Sequence, residues 1–347
     1  MSGNLSDKSV PVRWGIAGCG SIAHNFAEGI EFSCAAQLAA AASHTPGKAQ
    51  SFVQHYSSPQ SPLPIKIYTD YRQLANDPDI DAVYIATTHN FHHRNAMLFL
   101  QHGKHVLCEK PITINTGQLD DLIRAARMNN VFLMEALWTR FLPGIRKLRQ
   151  LINSDIIGKP RFLQASFGIE QNHDREHRLM NPLLAGGALL DLGIYPLNLA
   201  RIVFADELEK AVSSAVIGST GVDESSAYQL HFADGGLAQL FASCAVATPH
   251  DAIIYGQKGS IRVPDFFHPT HLEVHRNGRC HSYEAWYPSS GFQYQIDEAC
   301  RCIRSGRTES QIMPLGESRS IMQLMDGFRA DWGLYYPDEL QHPGDSQ

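Results

Sequence analysis

A chain of 347 residues exceeds what one hydrophobic core ordinarily organises and implies about two domains. Its 44% hydrophobic and 18% charged content is that of a globular protein, and a net charge of -6 excludes the basic stripe with which a dedicated nucleic-acid binder displaces counterions. No apolar run reaches the roughly 20 residues of a membrane-spanning helix, so neither nucleic acid nor membrane is an expected partner. The polar start, Met1 to Ser9, lacks the apolar segment of a signal peptide and reads as a short frayed tail. Seven scattered cysteines, an odd number, make a poor disulfide framework and imply reduced thiols in the cytoplasm. Cys300 and Cys302 lack zinc spacing, and the group His89, His92, His93 has no further ligand set behind it, so no metal is expected.

In chain order, the apolar run Val12 to Ala17 leads into Gly18-Cys19-Gly20-Ser21-Ile22-Ala23 and then a helix-compatible stretch to about Ile30. This is the strand, glycine turn and helix of a dinucleotide fingerprint: Gly18 permits the turn, Gly20 lets the backbone approach a pyrophosphate, and Ala23 lets helix and strand pack closely. A second strand, Leu38 to Ala42, ends at Ser43-His44-Thr45 with Lys48 beyond. A NAD-specific site would normally place a carboxylate there; its absence, with Ser43, His44 and Lys48 in reach of a 2′-phosphate, favours NADP and leaves NAD possible. Ile65 to Tyr68, a short helix Tyr71 to Asn76 and the buried strand Ala82 to Ala86 follow. Thr87, His89 and His92 stand after that strand's C-terminal end. The run Val106-Leu107-Cys108-Glu109-Lys110-Pro111 then reads as a buried parallel strand that presents Glu109 and Lys110 where open α/β sheets bind ligands. A helix near Thr116 to Met128 and the strand Val131 to Met134 complete a doubly wound parallel sheet, predicted as residues 1–138.

From Arg161 the texture changes. Arg161 to Glu170, Val212 to Ile217, Ala227 to Phe232, Leu237 to Ser243, Ala252 to Tyr255, Ser260 to Val263 and Leu272 to His275 are strand-like, several of them joined by tight turns. Such spacing predicts an α+β domain over 139–347 with a largely antiparallel open sheet, whose apolar outer face favours a homodimer. Helices near Gly187 to Ile202, Phe292 to Ser305 and Leu315 to Tyr335 are expected to cover its other face. Within the first, Asp191 and Tyr195 are four apart and share a helix face. An acid and a phenol beside a lysine suit proton transfer at a hydroxyl or carbonyl, the ammonium lowering the tyrosine pKa. Spacing alone equally allows a capping acid and a core tyrosine.

The glycine fingerprint, Glu109-Lys110-Pro111 and Gly186-Gly187-Ala188-Leu189-Leu190-Asp191-Leu192-Gly193-Ile194-Tyr195 resemble the Gfo/Idh/MocA family of NAD(P)-dependent oxidoreductases. Together with Phe132 to Phe141, they look like its dimeric dihydrodiol dehydrogenase and NADP-dependent D-xylose dehydrogenase branch. The resemblance implies Lys110 and Tyr195 as the catalytic pair, Asp191 orienting them or a substrate hydroxyl, and Trp138, Arg140 and Phe167 at the substrate. Gly18, Gly20, Ser21, Ile22, Ser43, His44, Lys48, Thr87, His89, His92, Glu109 and Lys110 would hold the cofactor. That branch commonly has an arginine where Ser43 stands here. The reading is an oxidoreductase that passes a hydride between the nicotinamide and a polyol-like substrate, an aldopyranose or a trans-dihydrodiol. A non-catalytic cofactor-binding sensor and a relative using bound nicotinamide as a transient redox partner are the alternatives. The loop Asn172 to Asn181 is expected to influence substrate choice, and His89 and His173 either contribute protons or line the cleft.

Overall fold

The computed structural model describes residues 10–57, 64–171, 174–204 and 207–340. The expected tail Met1 to Ser9 lies outside them, as do Asn172 and His173.

The first unit alternates β1 (Val12–Ala17), α1 (Ser21–Glu31), β2 (Ala36–Ala42), α2 (Lys48–Tyr56), β3 (Lys66–Tyr68), α3 (Tyr71–Asn76), β4 (Ala82–Ile85), α4 (His89–Gln101), β5 (His105–Glu109), α5 (Thr116–Met128) and β6 (Leu133–Ala136). All pairings are parallel, in the order β3-β2-β1-β4-β5-β6. The order reverses between β1 and β4, which opens a crevice at the strands' C-terminal ends. Strands β4 and β6 are buried at every residue because helices cover both faces of the sheet. Phe26 of α1 stacks on Tyr84 of β4 with ring centroids 3.9 Å apart, which fixes α1 over the sheet.

A single 3₁₀ turn (Trp138–Phe141) leads to α6 (Pro143–Asn153). The sequence reading passed over α6, although proline in its first turn and the buried positions Ile145, Leu148 and Leu151 carry a helical signature. The second sheet is built from β7 (Pro160–Gly168), β8 (Leu208–Ile217), β9 (Asp223–Phe232), β10 (Leu237–Ser243), β11 (Ala252–Gly256), β12 (Gly259–Val263), β13 (His271–Arg276) and β14 (Arg279–Glu284). Its order is β14-β13-β12-β11-β7-β10-β9-β8, antiparallel except for the pair β7 and β10. Strand β14 was not foreseen: it is an edge strand, mostly exposed, so its residues carry no alternation.

Between β7 and β8 the predicted helix appears in two parts, a π-helical turn (Leu189–Gly193) and α7 (Ile194–Val203). The segment Pro182–Val203 is apolar and long enough to cross a membrane, but its most apolar window is 89% buried inside the fold, as a core helix is. The remaining helices are α8 (Gln293–Arg304), α9 (Leu315–Trp332) and α10 (Pro337–Leu340). The expectation that α8 covers the second sheet is corrected. Its buried face, Ile296 and Cys300 included, packs on the first unit, where Trp14 Nε1 donates to Cys300 Sγ at 3.4 Å and a Cβ on Gly29 would meet Gln293 at 3.0 Å. Helix α9 ties the two units together: Arg319 pairs with Asp120 of α5, and Trp332 Nε1 donates to Ser213 Oγ of β8 at 3.1 Å.

Candidate active site

The glycine turn closes on β4. Gly18 has φ +97°, and a Cβ there would lie 2.8 Å from the Ala86 carbonyl, so only glycine fits without strain. Gly20 starts α1 with no side-chain cap, and nothing lies within 4 Å of where its Cβ would be. The open N–H groups of a helix start, reachable through a bare backbone, fit the pyrophosphate of a nicotinamide dinucleotide. Ser21 and Ile22 form the first turn, and Ala23 is fully buried against the sheet. After β2, Ser43 is buried and its Oγ accepts from Thr45 N at 3.2 Å, so the hydroxyl serves the turn. His44 packs on Tyr71 with centroids 4.2 Å apart, and Lys48 is exposed at the start of α2.

At the end of β5 the side chain of Lys110 crosses to the second unit. Its Nζ donates to Asp191 Oδ1 at 2.8 Å and to the Asp191 carbonyl at 2.7 Å. Arg178 grips the same carboxylate at two points, 3.1 and 3.0 Å, and His89 Nε2 lies 3.4 Å from Oδ1. Asp191 sits where it does because the π-helical turn is pinned from beneath: Asp223 accepts from Leu189 N at 2.7 Å. Gly187, at φ +112°, leaves Asp223 its space, since a Cβ would stand 2.2 Å from Oδ1.

Burial works against the Asp191 carboxylate, but Lys110, His89 and Arg178 outweigh it and hold its pKa well below the ordinary range. Burial likewise works against the Lys110 ammonium, and Asp191 and Tyr195 more than compensate, raising its pKa. Two fixed cations facing one carboxylate leave the cluster net positive, which suits a developing alkoxide or phenolate. Behind it, burial lifts Glu109 to about 7 against the opposing hydrogen bond from Tyr84 and the charge of Lys110. His92 is enclosed between carbonyls, with Nδ1 2.7 Å from Pro111 O and Nε2 2.9 Å from Thr87 O, and burial lowers its pKa to about 4. A neutral ring donates to only one of these two carbonyls; with no exposed surface, His92 supports the Thr87 and Pro111 loops from within, and its expected contact with the cofactor is corrected.

Tyr195, in the first turn of α7, faces Lys110, whose Nζ lies 5.1 Å from the ring centroid. Trp138 Nε1 donates to Tyr195 Oη at 3.2 Å, so the phenol accepts from tryptophan and keeps its own proton free to give. The expected lowering of the tyrosine pKa is corrected: burial raises it, and Lys110 offsets only part of that rise. Aromatic rings wall the space around the phenol. Phe167 lies 5.3 Å from Tyr195 and 4.4 Å from Phe267, and Trp138 stacks on Phe292 at 5.2 Å.

The structure thus brings Lys110, Asp191, Tyr195, Trp138, Phe167 and His89 together. His89 is placed at Asp191 and at the Ala185 carbonyl, 3.0 Å from Nδ1, and so joins the cluster around Asp191. The assignment of Arg140 to the substrate is corrected: it is 6% exposed and directed at Met313 and Glu317, because the 3₁₀ turn points it into the core. Arg178 and Phe267 were not foreseen as site residues. Both come from irregular segments whose local pattern says nothing of where they fold; only the polar run before Gly186 hinted at Arg178.

A doubly wound sheet with an open glycine turn, joined to an α+β unit that supplies an acid and a phenol to a strand-end lysine, defines a nicotinamide-dependent oxidoreductase. Residues 12–137 match the oxidoreductase family with an NAD-binding Rossmann fold, and residues 145–262 match the GFO/IDH/MocA C-terminal domain. The chain is 34% identical over 337 residues to trans-1,2-dihydrobenzene-1,2-diol dehydrogenase of Xenopus tropicalis, covering 94% of this chain and 99% of that one. It is 33% identical to D-xylose 1-dehydrogenase (NADP(+)) of Hypocrea jecorina, over 94% and 93% of the two chains. Among solved structures, a 3-ketoreductase from Actinomadura kijaniata with NADP and TDP-benzene superposes with a TM-score of 0.81 at 25% identity, covering 92% and 98%. The aldose-aldose oxidoreductase of Caulobacter crescentus shares the fold, with a TM-score of 0.83 at 24% identity and coverage of 92% and 97%. The chain belongs to the Gfo/Idh/MocA family: it is an NAD(P)-binding dehydrogenase that acts on CH–OH groups.

Proposed function

We propose that this protein is an NADP-preferring dehydrogenase of a polyol-like substrate, oxidising an aldopyranose to a lactone or a trans-dihydrodiol to a ketol, with Tyr195 as acid/base and Lys110 as its electrostatic partner. The observation that carries the reading is the Tyr195 hydroxyl, fixed by Trp138 beside the Lys110 and Asp191 pair. The activities of the relatives, on a dihydrobenzenediol and on D-xylose with NADP, support the substrate class and the cofactor.

The turn Gly18 to Gly20 and the start of α1 would hold the cofactor's pyrophosphate, with Thr87 and Glu109 lining its nicotinamide end. When bound, the nicotinamide supplies a hydride acceptor or donor for the carbinol carbon. In the reducing direction the neutral Tyr195 gives its proton to the carbonyl oxygen, and Lys110 stabilises the phenolate left behind. In the oxidising direction the phenolate takes the hydroxyl proton, so a raised tyrosine pKa favours reduction at neutral pH. Asp191 holds Lys110 and Arg178 in place. The rings of Trp138, Phe167 and Phe267 offer flat apolar faces to the C–H side of a six-membered ring and exclude water from the reacting carbon.

A dimer through the outer face of the second sheet and a cytoplasmic location belong to the same proposal; free cysteines among the described residues are consistent with the latter. The test is turnover of NADP and NAD by purified protein across aldoses, inositols and trans-cyclohexanediols, beside the Tyr195→Phe variant. Turnover with aldoses or diols that the variant loses supports the reading. Silence across the panel with tight cofactor binding would favour a sensor, and product without net cofactor reduction would favour a transient redox role.

A further inference from the structure

A cavity of about 280 Å³ opens between the loop after β2, the start of α3 and the middle of α4. His44, Tyr71 and Leu98 give it an apolar wall, and Arg72 and Arg94 also line it, the Arg94 guanidinium lying over the Phe91 ring 4.9 Å from its centroid. Neither guanidinium has an ion-pair partner among the described residues. The acid that also lines it, Asp70, is turned to its own helix, where Oδ1 accepts from Arg72 N at 2.9 Å. Burial raises Tyr71 on its wall to about 12, with Cys19 adding to the rise and Arg94 opposing it.

The end of β2 is where a Rossmann fold meets the adenosine ribose. Here that end carries no cation of its own, because Ser43 is buried and bonded to the Thr45 amide. Lys48 stands on α2 and does not line the cavity. An adenosine seated on the His44 and Tyr71 wall would bring its 2′ position toward guanidinium groups that approach from α3 and α4.

We infer that NADP over NAD discrimination resides in Arg72 and Arg94, which bind the adenosine 2′-phosphate from α3 and α4 in place of a cation after β2. Arginine suits this task because its planar fork pairs with two phosphate oxygens at once. The inference rests on the NADP preference proposed above, so its test separates the two.

Calorimetric titration of the full chain with adenosine 2′,5′-bisphosphate and with AMP reads the 2′-phosphate without catalysis. Wild type is expected to prefer the bisphosphate. The Arg72→Met/Arg94→Met protein is expected to lose at least about 10-fold in bisphosphate affinity and less than about 2-fold in AMP affinity, as removal of charge-assisted hydrogen bonds to one phosphate predicts. Both side chains are exposed, so the melting temperature of the double variant should match wild type and certify its fold. A wild type that prefers the bisphosphate, with a double variant that keeps the preference, overturns the inference and leaves the NADP reading intact. Loss of the preference in Lys48→Met instead also overturns it, placing the phosphate on α2. A wild type without preference overturns the NADP reading and the inference with it.

Discussion

The Tyr195 hydroxyl accepts from Trp138, and the Lys110 ammonium lies over its ring, so the bond to Trp138 leaves the phenol's own proton uncommitted. The Tyr195→Phe variant should bind cofactor normally and lose about 10²- to 10⁴-fold in kcat, the usual contribution of a positioned acid/base. Because burial raises the Tyr195 pKa, oxidation in the wild type should accelerate with rising pH through the alkaline range while reduction declines. An oxidation rate flat across that range would remove the phenol from the role. Asp191 makes a different prediction. Its pKa is depressed in the fold, so its contribution to stability is complete above the unfolded carboxylate pKa, about 4, and is lost as pH falls toward the depressed value. Asp191→Asn should abolish that acid-labile part and cost about 3 kcal/mol near neutral pH, the low end for a broken buried pair because Arg178's side chain is 48% exposed. Urea unfolding of the two proteins at several pH values checks both statements.

At the scale of the element, the π-helical turn Leu189–Gly193 delivers Asp191 and Tyr195 to Lys110, and its geometry depends on Asp223 and Gly187. Gly187→Ala would put a methyl group into Asp223 Oδ1 and strain a backbone at φ +112°. Thermal and urea unfolding should report a loss of about 1 to 3 kcal/mol for the strained backbone. Turnover should fall further than stability, since the displaced turn carries the site. Burial raises the Asp223 pKa to about 7 against the hydrogen bond from Leu189. The sign is opposite to that of Asp191: folding favours the neutral acid, so stability is full below the unfolded pKa and declines as pH rises from about 4 to about 7. In Asp223→Asn that decline should shrink. Glu109 titrates in the same window but is common to both proteins, so the difference between their melting curves isolates Asp223.

Across the whole molecule, the second sheet buries one face and leaves the other open. Leu163, Ala165, Tyr228, Leu230, Ala238 and Leu240 point inward toward the helices. In register across the opposite face run Val212, Gln229, Gln239, Gln164 and Ile253, flanked by the exposed Val216 and Tyr255. An open sheet face with exposed valines at its β8 edge is a ready surface for a second copy. Light scattering should find a dimer for the wild type and a monomer for Val212→Glu/Val216→Glu; a monomeric wild type would sink the dimer proposal.

Short buried strands, the glycine turn and the run ending in Glu109 and Lys110 state their structure locally, because period, turn chemistry and burial act between near neighbours. The Rossmann unit and the alternating strands of the second sheet were therefore legible in the residues themselves, whereas spacing alone left Asp191 and Tyr195 open to a bland reading and only the family resemblance joined them to Lys110. Arg178, Phe267 and the Trp138 hydrogen bond were not legible, nor were the inward turn of Arg140, the docking of α8 on α1 or the two-cation cradle of Asp191. Each depends on where a loop or helix is carried by contacts outside its own element, or on whether burial or a neighbouring charge prevails at one atom. Tyr195 is the plainest case: sequence placed a lysine near a tyrosine and predicted a lowered pKa. Only the packed interior decided that desolvation outweighs the ammonium at the phenol.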